Sequence, residues 1–498
     1  MNLDQEIESL IRFNDIHPKD MTKEKWLEDF NSFYEIMKEN FPYLYVKERM
    51  LGYNWLDLKD NYIKRIEEAK DVKEYLEIFF DAITALQDSH TSIQLPHWFL
   101  DYFFKEGGYA QSYFMKFPTY KRIFSEELKK ASEYWNPIIK EFYEERTGID
   151  YDILILYSKG EYRIFDGHGS WKQKYGRGTV IKTVNGTPID EAVKESYEKD
   201  YLFWDVKRKK PYLLYIDPKI FGSKAKFIIE KNEGEIKEVI FDTSKDYNYT
   251  FAQAFNYPSE LFTTKIWRGN KLAYIRFANF EGDCYDNETT EYLKAFYEKV
   301  KDFDHLIIDI RGNSGGMKES WMNNIIAPLA KKKLTSKMRA AYQKGKYVNM
   351  FRKDRGYKLE LDKNDLTNFP PETLTDDYNV YDASITVEPL GEIEFNAKIS
   401  LLVDNITYSA SIAFTLFCKE TGFAKVYGTP TKGEGIGSGT IFYVLPNSKI
   451  LMRFFPELGI DSKGNACEEA KIQPDVYYES ELRNFDELIN FVIDDFLK

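Results

Sequence analysis

The sequence predicts a mixed α/β protein built in three consecutive parts. Residues 1–145 carry apolar side chains at helical spacing, and residues 150–250 break into short β-forming runs. From 262 to 498 such runs alternate with helical stretches, the mark of a layered α/β core. A chain of 498 residues has room for roughly three domains of about 150 residues each.

In the first part, Trp26, Phe30, Phe33, Tyr34 and Met37 lie on one stripe of a helix. A second helix opens at Asp71 and Glu74, a pair arranged like a capping box, and continues through Leu76, Phe79, Phe80, Ile83 and Leu86. The pattern stops at Asp88-Ser89-His90, which places His90 just past a helix end. In the second part, GRGTVIKTVNGTPIDEAV (176–193) reads as a strand, an Asn-Gly turn and a helix start. AKFIIE and IKEVIF read as the closing strands. In the third part the strands are LAYIRF (272–277), HLIIDI (305–310) and ISLLVD (399–404), with helices through about 302, after Gly316 and from near Ser409. Residues 331–397, with Pro370-Pro371, form a long insertion that suits either a lid or an ordinary surface excursion.

Composition narrows the function. The net charge of −12 argues against nucleic acid as a partner, because phosphate binding needs clustered Lys and Arg. The run Lys207–Lys210 (KRKK) reads as a solvated loop between domains. Cys284, Cys418 and Cys467 are odd in number and far apart, so neither a zinc site nor a disulfide framework is expected. No apolar run of 18 residues occurs, and the N-terminus lacks an apolar leader core. These features predict a soluble, cytoplasmic protein with no membrane partner and no cofactor, and they are compatible with a homo-oligomer.

Two serine sites compete for chemistry. Gly312–Gly316 reads GNSGG, which fits the G-x-S-x-G nucleophile elbow after an apolar strand. Hydrolases built on that elbow order their triad Ser, acid, His, yet all five histidines (His17, His90, His97, His168, His305) precede Ser314. Glycines at a strand end instead let backbone N–H groups converge, as an oxyanion hole requires. Ser409 also stands between a strand and a helix N-terminus, where developing negative charge is stabilised. On these residues alone a helix N-cap is the stronger reading of Ser409.

Four stretches together resemble the tail-specific, or C-terminal processing, serine peptidases. LIIDIRGNSGG is similar to their D-x-R-x-N-x-G-G loop, and TYSAS to the nucleophile followed by Ala-Ser. YGTPTKGEG is similar to their G-x-x-T-x-G segment, and KGNACEEAKIQPD to their terminal G-x-x-x-E-x-x-G-I-x-P-D. The likeness covers about 262–480 in the right order. Upstream, residues 176–193 resemble the G-x-V-I-x-x-V-N-G core of a PDZ domain. LQDSHTSI resembles the D-G-H-T segment of the tricorn-like and retinoid-binding-protein-like branch.

The resemblance implies a core of the ClpP/crotonase-like type, a PDZ-like module that docks peptides, and a peptide or protein substrate. It implies Ser409 as nucleophile, with oxyanion amides from Ala410 and from Gly315 or Gly316. The lysine that many relatives use as base is Glu434 here, so the base is expected to be His90 with Ser89 before it, oriented by Glu468. Ile412 and Lys471 depart from the family pattern, and Lys432, in a stretch expected to be solvated, is an alternative base. The rival reading is a non-catalytic binder of apolar ligands or peptides on the same fold.

Overall fold

The computed structural model describes residues 2–104, 111, 114–146, 150–167, 169–231, 234–244, 257–258, 260–267, 269, 271–281, 286–356 and 360–498. His168 and Cys284 lie outside the described residues.

The α/β core is a six-stranded sheet in the order Phe262–Trp267, Leu272–Phe277, His305–Asp309, Lys398–Val403, Lys425–Gly428, Val476–Tyr477. The first pair is antiparallel and the remaining pairs are parallel. Side chains alternate across the sheet as the period of a strand demands. Ala273, Ile275, Leu306, Ile308, Leu401, Val403 and Val426 face one cluster, which includes residues of the helices Asn287–Val300 and Ala410–Thr421. Tyr274, Ile307, Leu402 and Tyr427 face the other, against Leu488, Ile489 and Val492 of the helix Phe485–Leu497. Burial on both faces explains why these strands read as unbroken apolar runs.

In the N-terminal region the helix Lys23–Asn40 buries Trp26, Phe30, Phe33, Tyr34 and Met37, the five residues of the expected stripe. The helix Val72–Thr84 starts at Asp71, whose carboxylate accepts the Glu74 amide at 3.0 Å. These helices do not close a core by themselves. Their apolar faces share one cluster with the strands Arg339–Gln343, Tyr378–Asp382 and Ile441–Val444 and the helix Lys346–Arg355. Much of the long insertion is thus built into the body of the fold, and Arg339–Gln343 pairs with Leu458–Ile460.

The strands from Asp150–Tyr151 to Ile236–Ser244, apart from the separate pair Phe203–Asp205 and Lys210–Tyr212, form an antiparallel sheet with its own apolar cluster. The turn at Asn185-Gly186 has positive φ at both residues, 49° and 88°, as a tight hairpin requires. The basic run at 207–210 is more engaged than a solvated loop: Arg208 pairs with Asp205 at 2.8 Å and with Glu479 at 3.2 Å. Those contacts tie this sheet to the C-terminal part of the core. Among the described residues no helix is long and apolar enough to cross a membrane.

Candidate active site

The loops that follow the parallel strands converge at one edge of the sheet, the usual position for a site in an open α/β layer. One carboxylate organises two of them. Asp404, at the end of Lys398–Val403, accepts the amides of Gly312 at 3.1 Å and of Ile406 and Thr407 at 3.0 Å. The chain then turns sharply into the helix Ala410–Thr421 through Ser409, which has φ 56° and ψ −125°. A non-glycine residue held there costs on the order of 1–3 kcal/mol and persists only where neighbours enforce it. The enforcing bonds are Tyr408 N–H to the Asn313 carbonyl at 3.0 Å and Ser409 N–H to the Glu434 carbonyl at 3.2 Å.

A strained strand-to-helix turn, the backbone geometry a nucleophile elbow needs, stands at Ser409 rather than at the GNSGG loop. The Ser409 side chain makes no capping bond, so its hydroxyl is free for another partner. Ser411 is fully buried and donates to Asn313 Oδ1 at 2.8 Å. Ser314 is exposed, and no described histidine contacts it.

Ser409 Oγ lies 3.1 Å from His90 Nε2. The histidine follows the end of the helix Val72–Thr84, and its amide is held by Asp88 Oδ1 at 3.1 Å. Its ring is clamped between Tyr408 and Phe455, with centroids 4.4 and 4.9 Å away. Nδ1 lies 2.5 Å from the Tyr408 hydroxyl and 3.4 Å from Glu434 Oε2. Tyr408 donates to Glu434 Oε2 at 2.5 Å, so its oxygen accepts from Nδ1–H. That fixes the tautomer and turns the Nε2 lone pair toward Ser409. Burial holds the imidazole below its ordinary pKa, against the raising pull of Glu434.

The other described histidines serve elsewhere. His17 caps a short turn, accepting the Lys19 amide at 3.1 Å, and His97 is exposed. His305 is buried in the sheet, 2.8 Å from Ser400 Oγ, and burial pushes it down to about 4.

Behind His90 lies a buried ionic layer. Burial would raise the Glu434 carboxyl, but the Lys47 ammonium at 3.2 Å and hydrogen bonds from Asp88 and His90 hold it well below the ordinary range. Asp88 is pushed the other way, above the ordinary carboxylate range, by burial and by the Glu434 charge. The donor atoms of Asp88, His90 and Glu434 come within 4.8 Å of one another. Each is already engaged, and the Lys47 ammonium supplies the positive charge a metal ion would bring.

Glu468 is placed differently from the orienting role the resemblance implies. Its Oε1 takes Lys47 at 2.6 Å and Lys471 at 3.0 Å, and it makes no bond to His90. Glu434 is the carboxylate at the imidazole. Ser89 Oγ accepts from Lys432 Nζ at 2.6 Å and makes no hydrogen bond to Ser409 or the His90 ring. Lys432 is half-buried, over the rings of Tyr408 at 4.6 Å and Phe203 at 4.9 Å. The stretch expected to be solvated is covered because Ser89 and Lys47, distant in sequence, close over it. Burial pushes the Lys432 ammonium down, yet its partner is Ser89 and not Ser409.

The glycine loop packs directly on Ser409. A Cβ on Gly315 would fall 2.6 Å from Ser409 Cβ and 2.9 Å from the Ala410 nitrogen, and its φ is 100°. The Gly315 amide is bonded to Asn313 Oδ1 at 2.9 Å, so it is not available to an oxyanion. The amides of Gly316 and Ala410 meet no acceptor among the described residues. They are the pair an oxyanion could use, while Gly315 supplies the close approach.

Both departures from the family pattern have a structural place. Ile412 is fully buried in the core. Lys471 keeps a glycine-like φ of 50°, and its ammonium becomes a partner of Glu468. Sequence reasoning missed Glu434, Tyr408 and Lys47 as site residues. The available signal was position: a carboxylate where relatives carry a catalytic lysine must lie near the nucleophile.

Residues 271–478 match the family model of peptidase family S41. No curated protein sequence matches the chain. Among solved structures, mature CPAF superposes with a TM-score of 0.57 at 11% identity, covering 96% of this chain and 96% of that one. CPAF complexed with lactacystin gives 0.54 at 11% identity, with coverage of 95% and 98%. A CPAF mutant gives 0.54 at 12% identity, with 96% of each chain covered. At such identities the likeness is one of fold.

Proposed function

From the match of residues 271–478 to the model of peptidase family S41, the tail-specific peptidases, we propose a serine peptidase with Ser409 as nucleophile and His90 as general base. The observation that carries this reading is the 3.1 Å approach of His90 Nε2 to the hydroxyl of a serine on a strained turn. Ser409 attacks the scissile carbonyl as His90 takes its proton. The imidazolium so formed is stabilised through Tyr408 and the ionised Glu434. The carbonyl oxygen, now negative, is received by the Gly316 and Ala410 amides at the start of a helix. His90 then hands its proton to the departing amine, and water, activated by the same ring, releases the acyl group. The β-rich part at 150–250 serves in this proposal as the PDZ-like element that docks unstructured peptide by strand addition.

A fluorophosphonate probe tests the assignment. Stoichiometric label mapped to Ser409, lost together with hydrolysis in Ser409→Ala, is the expected result. Label on Ser314, or none on a chain that is folded, overturns it.

A further inference from the structure

The turn that carries His90 is held from outside, by residues of the β-rich part. Gln87, three positions before the histidine, is buried and has a φ of 56°. A non-glycine residue keeps that backbone state only where its neighbours enforce it. Both ends of its side-chain amide are committed to backbone groups. The two N–H bonds of Nε2 are shared among the carbonyls of Thr84 at 3.0 Å, Tyr197 at 2.7 Å and Asp200 at 2.8 Å. Its Oε1 accepts the Leu202 amide at 2.7 Å. At the far end of the turn the Tyr201 hydroxyl donates to the Thr91 carbonyl at 3.2 Å. In the middle, Ser89 bonds Lys432, whose ammonium lies 4.9 Å from the centre of the Phe203 ring. The contacts thus fall on residues 87, 89 and 91, while Asp88 and His90 turn toward Glu434 and Ser409.

Residues 197–202 are themselves fixed. The Tyr197 ring stacks on Tyr53 at 4.0 Å, Glu198 accepts from the Tyr62 hydroxyl at 2.8 Å, and Lys199 pairs with Asp81 at 2.7 Å. The segment runs between the helix Ile189–Lys194 and the strand Phe203–Asp205. Bonds inside the turn, from the His90 amide to Asp88 Oδ1 at 3.1 Å and from the Thr91 amide to the Asp88 carbonyl at 3.0 Å, set its shape. They do not set its place relative to Ser409, 319 residues away in the chain. The pairing of Ser92 and Ile93 with Arg453 and Met452 holds the chain that leaves the turn, and the segment 197–202 holds the turn itself.

We propose that Gln87 and Tyr201 are positioning residues for His90: through them the β-rich part sets the imidazole at hydrogen-bond distance from Ser409. That part of the chain then contributes to the chemical step, on small substrates as well as on peptides. The proposal rests on the reading of His90 as base.

The test uses the full chain with Tyr201→Phe or Gln87→Met. Tyr151→Phe is the control, because it removes a like hydroxyl-to-carbonyl bond, to Gly222 at 2.7 Å, inside the β-rich part. Three quantities are read: the thermal midpoint, the kinetics of ester hydrolysis and fluorophosphonate labelling, and the His90 imidazole resonance, identified by its loss in His90→Ala. The resonance reports ring position without turnover, because the imidazole lies between the rings of Tyr408 and Phe455. In Gln87→Met, kcat and labelling rate should fall about 10–100-fold, the upper figure being the scale of a displacement of about 1 Å. In Tyr201→Phe the loss should be about 3–10-fold, the scale of one hydrogen bond. Both variants should displace the resonance and leave KM nearly unchanged. Tyr151→Phe should lower the midpoint as Tyr201→Phe does, with kcat and resonance as in the parent. Should Gln87→Met fail to fold, Tyr201→Phe decides. A parental kcat and resonance in Tyr201→Phe, or an equal loss of kcat in Tyr151→Phe, overturns the proposal. Displaced resonances in a chain whose parent neither labels nor hydrolyses support the positioning and defeat the peptidase reading, whereas full activity with unmoved resonances does the opposite.

Discussion

Tyr408 donates its hydroxyl to Glu434 at 2.5 Å while standing 2.5 Å from His90 Nδ1, so the carboxylate reaches the imidazole through a phenol. Tyr408→Phe leaves Glu434 within 3.4 Å of the ring but removes the acceptor that sets its tautomer. We expect kcat to fall by about 10–100-fold, the scale of losing an orienting partner, with KM little changed. An unaltered kcat would remove the relay.

The pH profile follows from the His90 environment. Its pKa is lowered from 6.5 by burial, so the neutral, proton-accepting form prevails above that value. Hydrolysis should rise with pH along a limb whose midpoint lies below 6.5 and should be level by neutrality. His90→Ala should cost about a hundredfold in kcat and abolish the limb. A limb well above neutrality that survives in His90→Ala but vanishes in Lys432→Ala would point to the lysine as base.

Two glutamates should behave unequally. Glu434→Gln removes the charge that stabilises the imidazolium, and kcat should drop by about 10–100-fold. Glu468→Gln acts one residue further out, on Lys47 and Lys471, and should affect kcat less. Steady-state kinetics of the two variants decides the order. If Glu468→Gln is the more damaging, the role implied by the family pattern belongs to Glu468 after all.

Lys47 balances two buried carboxylates from the distance of the N-terminal helix Leu44–Leu51. Lys47→Met strands Glu434 and leaves Glu468 with Lys471 alone, and stability should fall by roughly 3–5 kcal/mol, the cost of breaking a buried pair. Urea unfolding should show a lower midpoint at unchanged slope. The depressed Glu434 carboxyl contributes stability that is present above its ordinary 4.5 and is lost as the pH falls through the lower folded value. That acid sensitivity should shrink in Lys47→Met. A midpoint equal to that of the parent chain would mean the ionic layer contributes nothing net.

Local patterns were legible in the sequence, and long-range contacts were not. The stripe from Trp26 to Met37, the strand LAYIRF and the turn at Asn185-Gly186 depend on near neighbours, and the structure has them where expected. Ser409 and His90 could be chosen from motif and order. The role of Glu434 could not be read locally, because it depends on Lys47, 387 residues away, and on which way Tyr408 points. The cover over Lys432 is hidden for the same reason: the glycines that follow it suggest a loose surface loop, whereas Ser89 meets it from 343 positions away. The free amide at Gly316 and the occupied one at Gly315 differ only through Asn313, a side-chain orientation no spacing reveals.

The shared apolar cluster of the N-terminal helices with the strands Arg339–Gln343 and Ile441–Val444 has a consequence during synthesis. His90 and Ser409 lie 319 residues apart, and the helices that carry the first have no complete core until chain from beyond the second has emerged. A ribosome therefore releases most of the polypeptide before His90 and Ser409 can meet. A truncated product lacking the last quarter of the chain lacks Ser409 altogether, so an unfinished copy cannot bring the two residues together.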